Sequence, residues 1–336
     1  MISSADGHVE NLMSRRLFLL VVVAILTLVS LPTWAQQHNG VTVVGILVPG
    51  IGVNHPAVVT LRSRLRELGY VEGQNIRYEF RTAQGEVDRL PGLAQELIRL
   101  NVDVIVAATE SAIWAVKNAT TKIPIVMVVY SDPVASRLVN SFNRPGGNVT
   151  GIFTLDSELE GKRLELLKET IPGLSKVAVL WDSFSTRNES DELERAARSL
   201  KIQLEFIEFR APYDAKAAIN AAKSKNAQAA MNLMSPALIA RSTQVGQEAL
   251  ANGLPLMAFP HDFTRAGGLI SYGTDLRDNY YRAAYFVDKL LKGAQPSDLP
   301  VERRATLKLL VNLKTAKALG ITIPQSVLLR ADEHRC

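Results

Sequence analysis

At 336 residues, 47% of them hydrophobic, the chain can bury a large core and form two domains of ordinary size, which excludes disorder over most of it. Its formal charge of +5 is spread out with no basic run, so a nucleic-acid partner has no electrostatic footprint to rest on. The single cysteine is the last residue, Cys336, which excludes a disulfide framework.

The N-terminal segment, residues 1–35, runs from Arg15-Arg16 through the apolar stretch LFLLVVVAILTLVSL to Pro32-Thr33-Trp34-Ala35. Charge, grease and then a small-residue site are the order of an export signal, cleaved here after about Ala35. The alternative is a retained anchor, for which Leu17 to Leu31 is slightly short of the roughly 20 residues a span needs. SRRLFL also resembles a twin-arginine signal, while so apolar a core suits the general secretory route at least as well. Either way the mature chain is expected in a periplasm.

From Val41 short β-branched runs alternate with amphipathic stretches, the signature of βαβ units. VTVVGILV, NIRYEFR, VDVIVAAT, IPIVMVVY and GGNVTGIF read as strands. PAVVTLRSRLREL, DRLPGLAQELIRL and SAIWAVKNAT read as helices between them, and VASRLVNSF as a short one. The pattern then restarts with helix ELEGKRLELLKETI, strand KVAVLWD, helix ESDELERAARSL, strand QLEFIEF and helix YDAKAAINAAKS. Strands QAAMNLM, LPLMAF and GGLISYG follow, with one helix, ALIARSTQVGQEALAN, between the first two.

Two similar runs predict an α/β fold of two Rossmann-like lobes, each a small doubly wound sheet. Pro145-Gly146-Gly147 and Gly267-Gly268 each precede a strand and a long helix, and LKLLVNLKTAKALGI adds a last strand and helix. These places predict three crossovers and a hinge. The expected N-terminal lobe is 40–154 plus 272–296, and the C-terminal lobe 155–271 plus 303–336.

GILVPGIGVNHP, after the first strand, raises a nucleotide-binding alternative. Gly50 and Gly52 fit the first two places of G-x-G-x-x-G, but the third falls on His55, and Pro56 then suits a first helical position. What remains is general: loops at the carboxyl ends of parallel strands face a crevice, and helix N-termini there offer free N–H groups to an anion. The candidate ligand residues in these loops are His55; Thr109, Glu110 and Ser111; Tyr130, Ser131 and Asp132; Asp182 and Ser183; Met234 and Ser235; and Phe259. Each has a plainer role as cap, turn or core, and their weight is collective.

No G-x-S-x-G elbow, P-loop, H-E-x-x-H or cysteine nucleophile is present, and the histidines have no metal-ligand spacing. No catalytic residue, metal or cofactor is therefore assigned.

YVEGQNIRYEFR, IPIVMVVYSDPVASRLVNSFNRPGGNVTGI, RAGGLISYGTDLRDNYYRAAYFVDKLLKGAQPSDLP and LVNLKTAKALGITIPQSVLLRADE resemble an ABC-transporter substrate-binding family that includes tryptophan and tyrosine binders. The resemblance covers nearly the whole mature chain. It implies a periplasmic binding protein of type 1, monomeric, closing on a small solute such as an amino acid and handing it to a membrane permease. Within it, Asp182-Ser183 stands where relatives commonly show Asn-Pro, and Met234-Ser235 where amino-acid binders tend to carry an aspartate, which changes the charge the site can hold. A sensory module and an exported α/β enzyme are the competing classes; a repressor of similar fold would need a helix-turn-helix where the export signal stands.

Overall fold

A computed structural model describes residues 40–335 apart from Thr186 and Ala305; the export segment lies outside the described residues. The apolar runs form strands β1 (Thr42–Val48), β2 (Ile76–Thr82), β3 (Val104–Ala108), β4 (Ile125–Val129) and β5 (Val149–Phe153). Between them lie α1 (Pro56–Glu67), α2 (Leu90–Arg99) and α3 (Glu110–Ala119). The chain then builds a second unit from α4 (Glu160–Thr170), β6 (Lys176–Trp181), α5 (Arg187–Leu200), β7 (Gln203–Glu208), α6 (Ala215–Ser224) and β8 (Ala229–Asn232). It continues through α7 (Pro236–Ala240), α8 (Ser242–Ala251), β9 (Leu256–Met257), α9 (Asp262–Arg265) and β10 (Ile270–Thr274). Helix α10 (Leu276–Leu291) and β11 (Glu302–Arg303) return to the first unit; β12 (Leu307–Asn312), α11 (Leu313–Ala318), α12 (Gln325–Leu328) and β13 (Glu333–Arg335) finish the second.

The strands make two sheets, ordered β11-β5-β4-β3-β1-β2 and β13-β12-β10-β9-β8-β6-β7. All neighbours run parallel except β10 and β12, which pair antiparallel because β12 enters its sheet from the other lobe. That pair is the departure from the fully parallel sheets of the sequence pattern.

Strands buried on both faces explain the unbroken apolar runs. In β1, Val44, Ile46 and Val48 pack with Val58, Leu61 and Leu65 of α1 and with Ala283, Phe286 and Val287 of α10. Val43 and Leu47 face the other way, onto Leu93 and Leu97 of α2 and Ile113 and Val116 of α3. The second lobe repeats the arrangement. Val177 and Val179 meet Leu164, Leu167 and Leu193, while Ala178 and Leu180 meet Ile219, Val245 and Ala249.

Two helix expectations fail for local reasons. VASRLVNSF forms turns, because Arg137 sits at φ 57°, a left-handed conformation that ends any helix starting at Pro133. The single helix over ALIARSTQVGQEALAN breaks at Arg241 (φ −114°, ψ 18°) into α7 and α8.

The chain passes between the sheets after Phe153, after Thr274 and between Arg303 and Leu307. One carboxylate ties two of these passages. Asp156 Oδ1 accepts the Thr274 N–H at 2.9 Å, and its other oxygen accepts the Thr154 hydroxyl. The buried Arg163 guanidinium donates to the Tyr272 carbonyl at 2.7 Å and to Glu160, and lies over the Phe259 ring. Glu160, enclosed by protein, is pushed up to about 7 by desolvation, against the pull of Arg163.

Candidate functional site

The carboxyl ends of the strands converge on a cleft of about 290 Å³. From the first lobe it is lined by Thr109, Glu110, Ser111 and Trp114 at the start of α3, and by Val129, Tyr130 and Ser131 at the end of β4. Phe184, Glu189, Met234, Pro236 and Ile239 line it from the second.

Thr109 takes φ 72°, ψ 156°, outside the regions a β-branched residue prefers. Such strain, of order 1–3 kcal/mol, persists only where the surroundings impose it, and it clusters at functional sites. Here the Thr109 N–H is held by the Val128 carbonyl at 2.9 Å, and its hydroxyl meets the Ser111 hydroxyl at 3.0 Å. The twist delivers the first turn of α3, with its free N–H groups, to the cleft. The Ser131 hydroxyl donates to Glu110 Oε2 at 3.1 Å and fixes that carboxylate. Burial pushes the Tyr130 phenol well above its usual range, with Tyr280, Asp156 and Asp262 adding to the effect.

Opposite, the short helix α7 is capped by the Ser235 hydroxyl, which accepts the Leu238 N–H at 3.1 Å, and it presents Pro236 and Ile239. The first turn of α5 supplies Glu189, 4% exposed. Behind the cleft a smaller chamber of about 30 Å³ shares Thr109, Tyr130, Met234 and Ile239 with it. It ends against Phe259, Leu276 and Tyr280.

The candidate residues divide accordingly. Thr109, Glu110, Ser111, Tyr130, Ser131 and Met234 come together in the cleft, and Phe259 lines the rear chamber. His55 caps α1, its Nδ1 accepting the Ala57 N–H, and reaches Asp262 across the lobes. Asp132 accepts the N–H groups of Val134 and Ala135, fixing its own turn. Asp182 is buried beside the Ser235 hydroxyl and the Phe184 N–H; desolvation pushes its carboxyl up. Ser183 is exposed.

Trp114, Phe184, Glu189, Pro236 and Ile239 were not among the candidates. Trp114 carries a readable signal, since it stands one helical turn beyond Glu110 and shares its face. The others depend on which parts of the second lobe are brought opposite.

Gly50 answers the nucleotide alternative. A Cβ there would lie 2.7 Å from the Pro236 carbonyl oxygen, so the absent side chain makes room for the opposite lobe. Among the described residues no group of His, Cys, Asp and Glu is placed to hold a metal ion, and no helix is long and apolar enough to cross a membrane.

Two mainly parallel α/β lobes, joined by three passages of the chain beside a cleft lined from both, define a two-lobed solute-binding protein. Residues 44–335 match the model of the ABC transporter substrate binding protein family, and the chain belongs to that family, whose members are extracytoplasmic binding proteins rather than enzymes. A tyrosine-binding protein of Clostridioides difficile is 28% identical over 278 residues, covering 80% of this chain and 79% of the relative. A conserved domain protein of Vibrio cholerae superposes with a TM-score of 0.76 at 26% identity, over 88% of this chain and 99% of the other. An ABC domain from Streptococcus pneumonia in complex with L-Trp has the same fold, with a TM-score of 0.74 at 24% identity over 87% and 99% of the two chains.

Proposed function

We propose that the chain is the periplasmic solute-binding component of an ABC importer, exported with loss of its signal and acting as a monomer. It captures an aromatic amino acid or a similar small organic molecule by closure of its two lobes, and a membrane permease then receives the solute. The observation that carries the reading is a cleft faced on one side by the α3 N-terminus and on both sides by aromatic side chains and carboxylates. In this reading the N–H groups of α3 and the Ser111 hydroxyl hold the ligand carboxylate. Glu110 and Glu189 hold its ammonium. Trp114, Tyr130, Phe184 and Met234 cover the apolar body, and because both lobes touch it, the ligand stabilises the closed state by its differential affinity.

The tyrosine-binding relative and the L-Trp complex support this choice of ligand. Calorimetry with L-tyrosine, L-tryptophan and L-phenylalanine, together with mass spectrometry of any copurified molecule, tests it. Micromolar or tighter binding of an aromatic amino acid is expected; no binding of any at millimolar concentration overturns it. Reconstituted uptake with a candidate membrane permease separates transport from a sensory role.

A further inference from the structure

Trp114 borders the cleft on α3, and one helical turn further on Lys117 folds its ammonium back over the indole, with Nζ 4.8 Å from the ring centre. The same ammonium donates to the Arg137 carbonyl at 3.0 Å and to the Leu138 carbonyl at 2.8 Å. These carbonyls close the turn that follows Ser131, where the Leu138 N–H donates to the Pro133 carbonyl at 2.9 Å and Arg137 takes its left-handed conformation. One cation therefore ties together the two stretches that make the first lobe's wall of the cleft: α3, with Glu110, Ser111 and Trp114, and the loop that leaves β4 through Tyr130 and Ser131. The hydrogen bond from Ser131 to Glu110 joins the same stretches two turns earlier along α3. A lysine on a helix surface ordinarily sends its charge into water. Lys117 does not: it is half-buried, and burial pushes its ammonium below the usual range, a cost that the ring and the two carbonyls offset.

We propose that Lys117 is a positioning residue for ligand binding: without lining the cleft, it holds the Trp114 indole and the loop after β4 in the places that a ligand's apolar body meets. This role rests on the functional reading above. Trp114 is only partly buried, packed against the core cluster that includes Leu138 and Val139, so the ammonium and the turn it grips add the restraint that full burial would otherwise supply. A wall in place before the ligand arrives spares the cost of ordering a side chain at the moment of binding. An indole that already carries one cation over its ring offers less to a second, which leaves the ligand's ammonium to Glu110 and its apolar part to Trp114.

Lys117→Met keeps the aliphatic stem and removes the charge, while Lys117→Arg keeps a cation that can lie over the ring. Calorimetry with L-tyrosine and L-phenylalanine is expected to show about fivefold weaker binding for Lys117→Met and a change within about twofold for Lys117→Arg. A second readout needs no ligand: in a Trp34→Phe/Trp181→Phe background Trp114 is the sole tryptophan, and the decay of its fluorescence anisotropy reports the motion of the ring itself. Lys117→Met should add a fast component that the background protein and Lys117→Arg lack. Undiminished affinity in Lys117→Met, or a loss of affinity with the indole as rigid as before, would overturn the proposal while the functional reading stands. So would a lower unfolding temperature with both readouts unchanged, which is the mark of a purely structural tie, or a Lys117→Arg variant as weak and as mobile as Lys117→Met. If the wild type binds neither amino acid, the functional reading fails and the positioning role fails with it.

Discussion

His55 Nε2 lies 3.1 Å from Asp262 Oδ1, joining the loop that opens α1 in the first lobe to the first turn of α9 in the second. Because His55 Nδ1 accepts the Ala57 N–H at 3.2 Å, the hydrogen-bond pattern assigns the ring proton to Nε2, which donates to the carboxylate. The bond therefore needs only a neutral imidazole. Burial would raise the Asp262 carboxyl, but the His55 hydrogen bond and the Arg265 charge hold it below its usual range.

A contact made between lobes stabilises the closed form alone. His55→Ala and Asp262→Ala are each expected to weaken ligand binding about fivefold, corresponding to about 1 kcal/mol for a partly exposed polar pair. The double variant should be little worse than either single one. Calorimetry on the four proteins measures this, and additive losses would place the two residues in separate roles.

Gly50 faces α7 with no room for a side chain. Gly50→Val should fold normally yet lose at least tenfold in affinity, because its side chain meets the Pro236 carbonyl before the lobes can close. Small-angle scattering with saturating ligand checks the cause: the wild-type radius of gyration should contract and that of the variant should not.

Glu110 and Glu189 contribute the negative charge of the cleft. Replacing either by Gln should cost an amino-acid ligand about 2 kcal/mol, roughly thirtyfold, as expected for a hydrogen bond to a charged group. Binding of 3-(4-hydroxyphenyl)propionate, which has no amine, should be unchanged or improved in the same variants. Equal losses for both ligands would mean that the substitutions disturb the site's shape.

Two buried groups oppose one another in the pH dependence of stability. Glu160 titrates at about 7 in the folded chain, above an unfolded carboxyl, so the folded state holds the extra proton and stability falls as pH rises from about 4.5 to 7. His261 is lowered to about 4, first by burial and then by the charge of Arg265, so the unfolded state holds the extra proton and stability rises between about pH 4 and 6.5. The wild type should thus be nearly flat from pH 5 to 6.5. Glu160→Gln should gain stability with rising pH and His261→Gln should lose it, each by up to about 1.4 kcal/mol per pH unit, the slope of one proton. Denaturant unfolding at several pH values reads both slopes.

The two-lobed α/β fold was legible because strands such as β1 and β3, buried on both faces, read as unbroken apolar runs, and the helices between them have a single apolar face. The loops ending β3 and β4 were legible for the same reason: Thr109 and Tyr130 stand where each run of grease stops. The second lobe's share was harder to read. Glu189 and Ile239 look like ordinary helix residues until the crossovers bring their helices opposite α3. Asp132 and Ser235 show the converse, since the short polar side chain that suits a ligand also suits a neighbouring backbone N–H, and the local partner is reached first.

Helix α10 covers the first lobe with Tyr280, Ala283, Phe286 and Val287, although the second lobe's sheet as far as β10 precedes it in the chain. A polypeptide emerging from its N-terminal end therefore presents β1 to β5 with one flank bare until nearly all the remainder has appeared. The first lobe waits for α10 and β11 and the second for β12 to β13, so neither completes its core until near the end of the chain. Any shortening ahead of residue 291 therefore strips core residues from both lobes together.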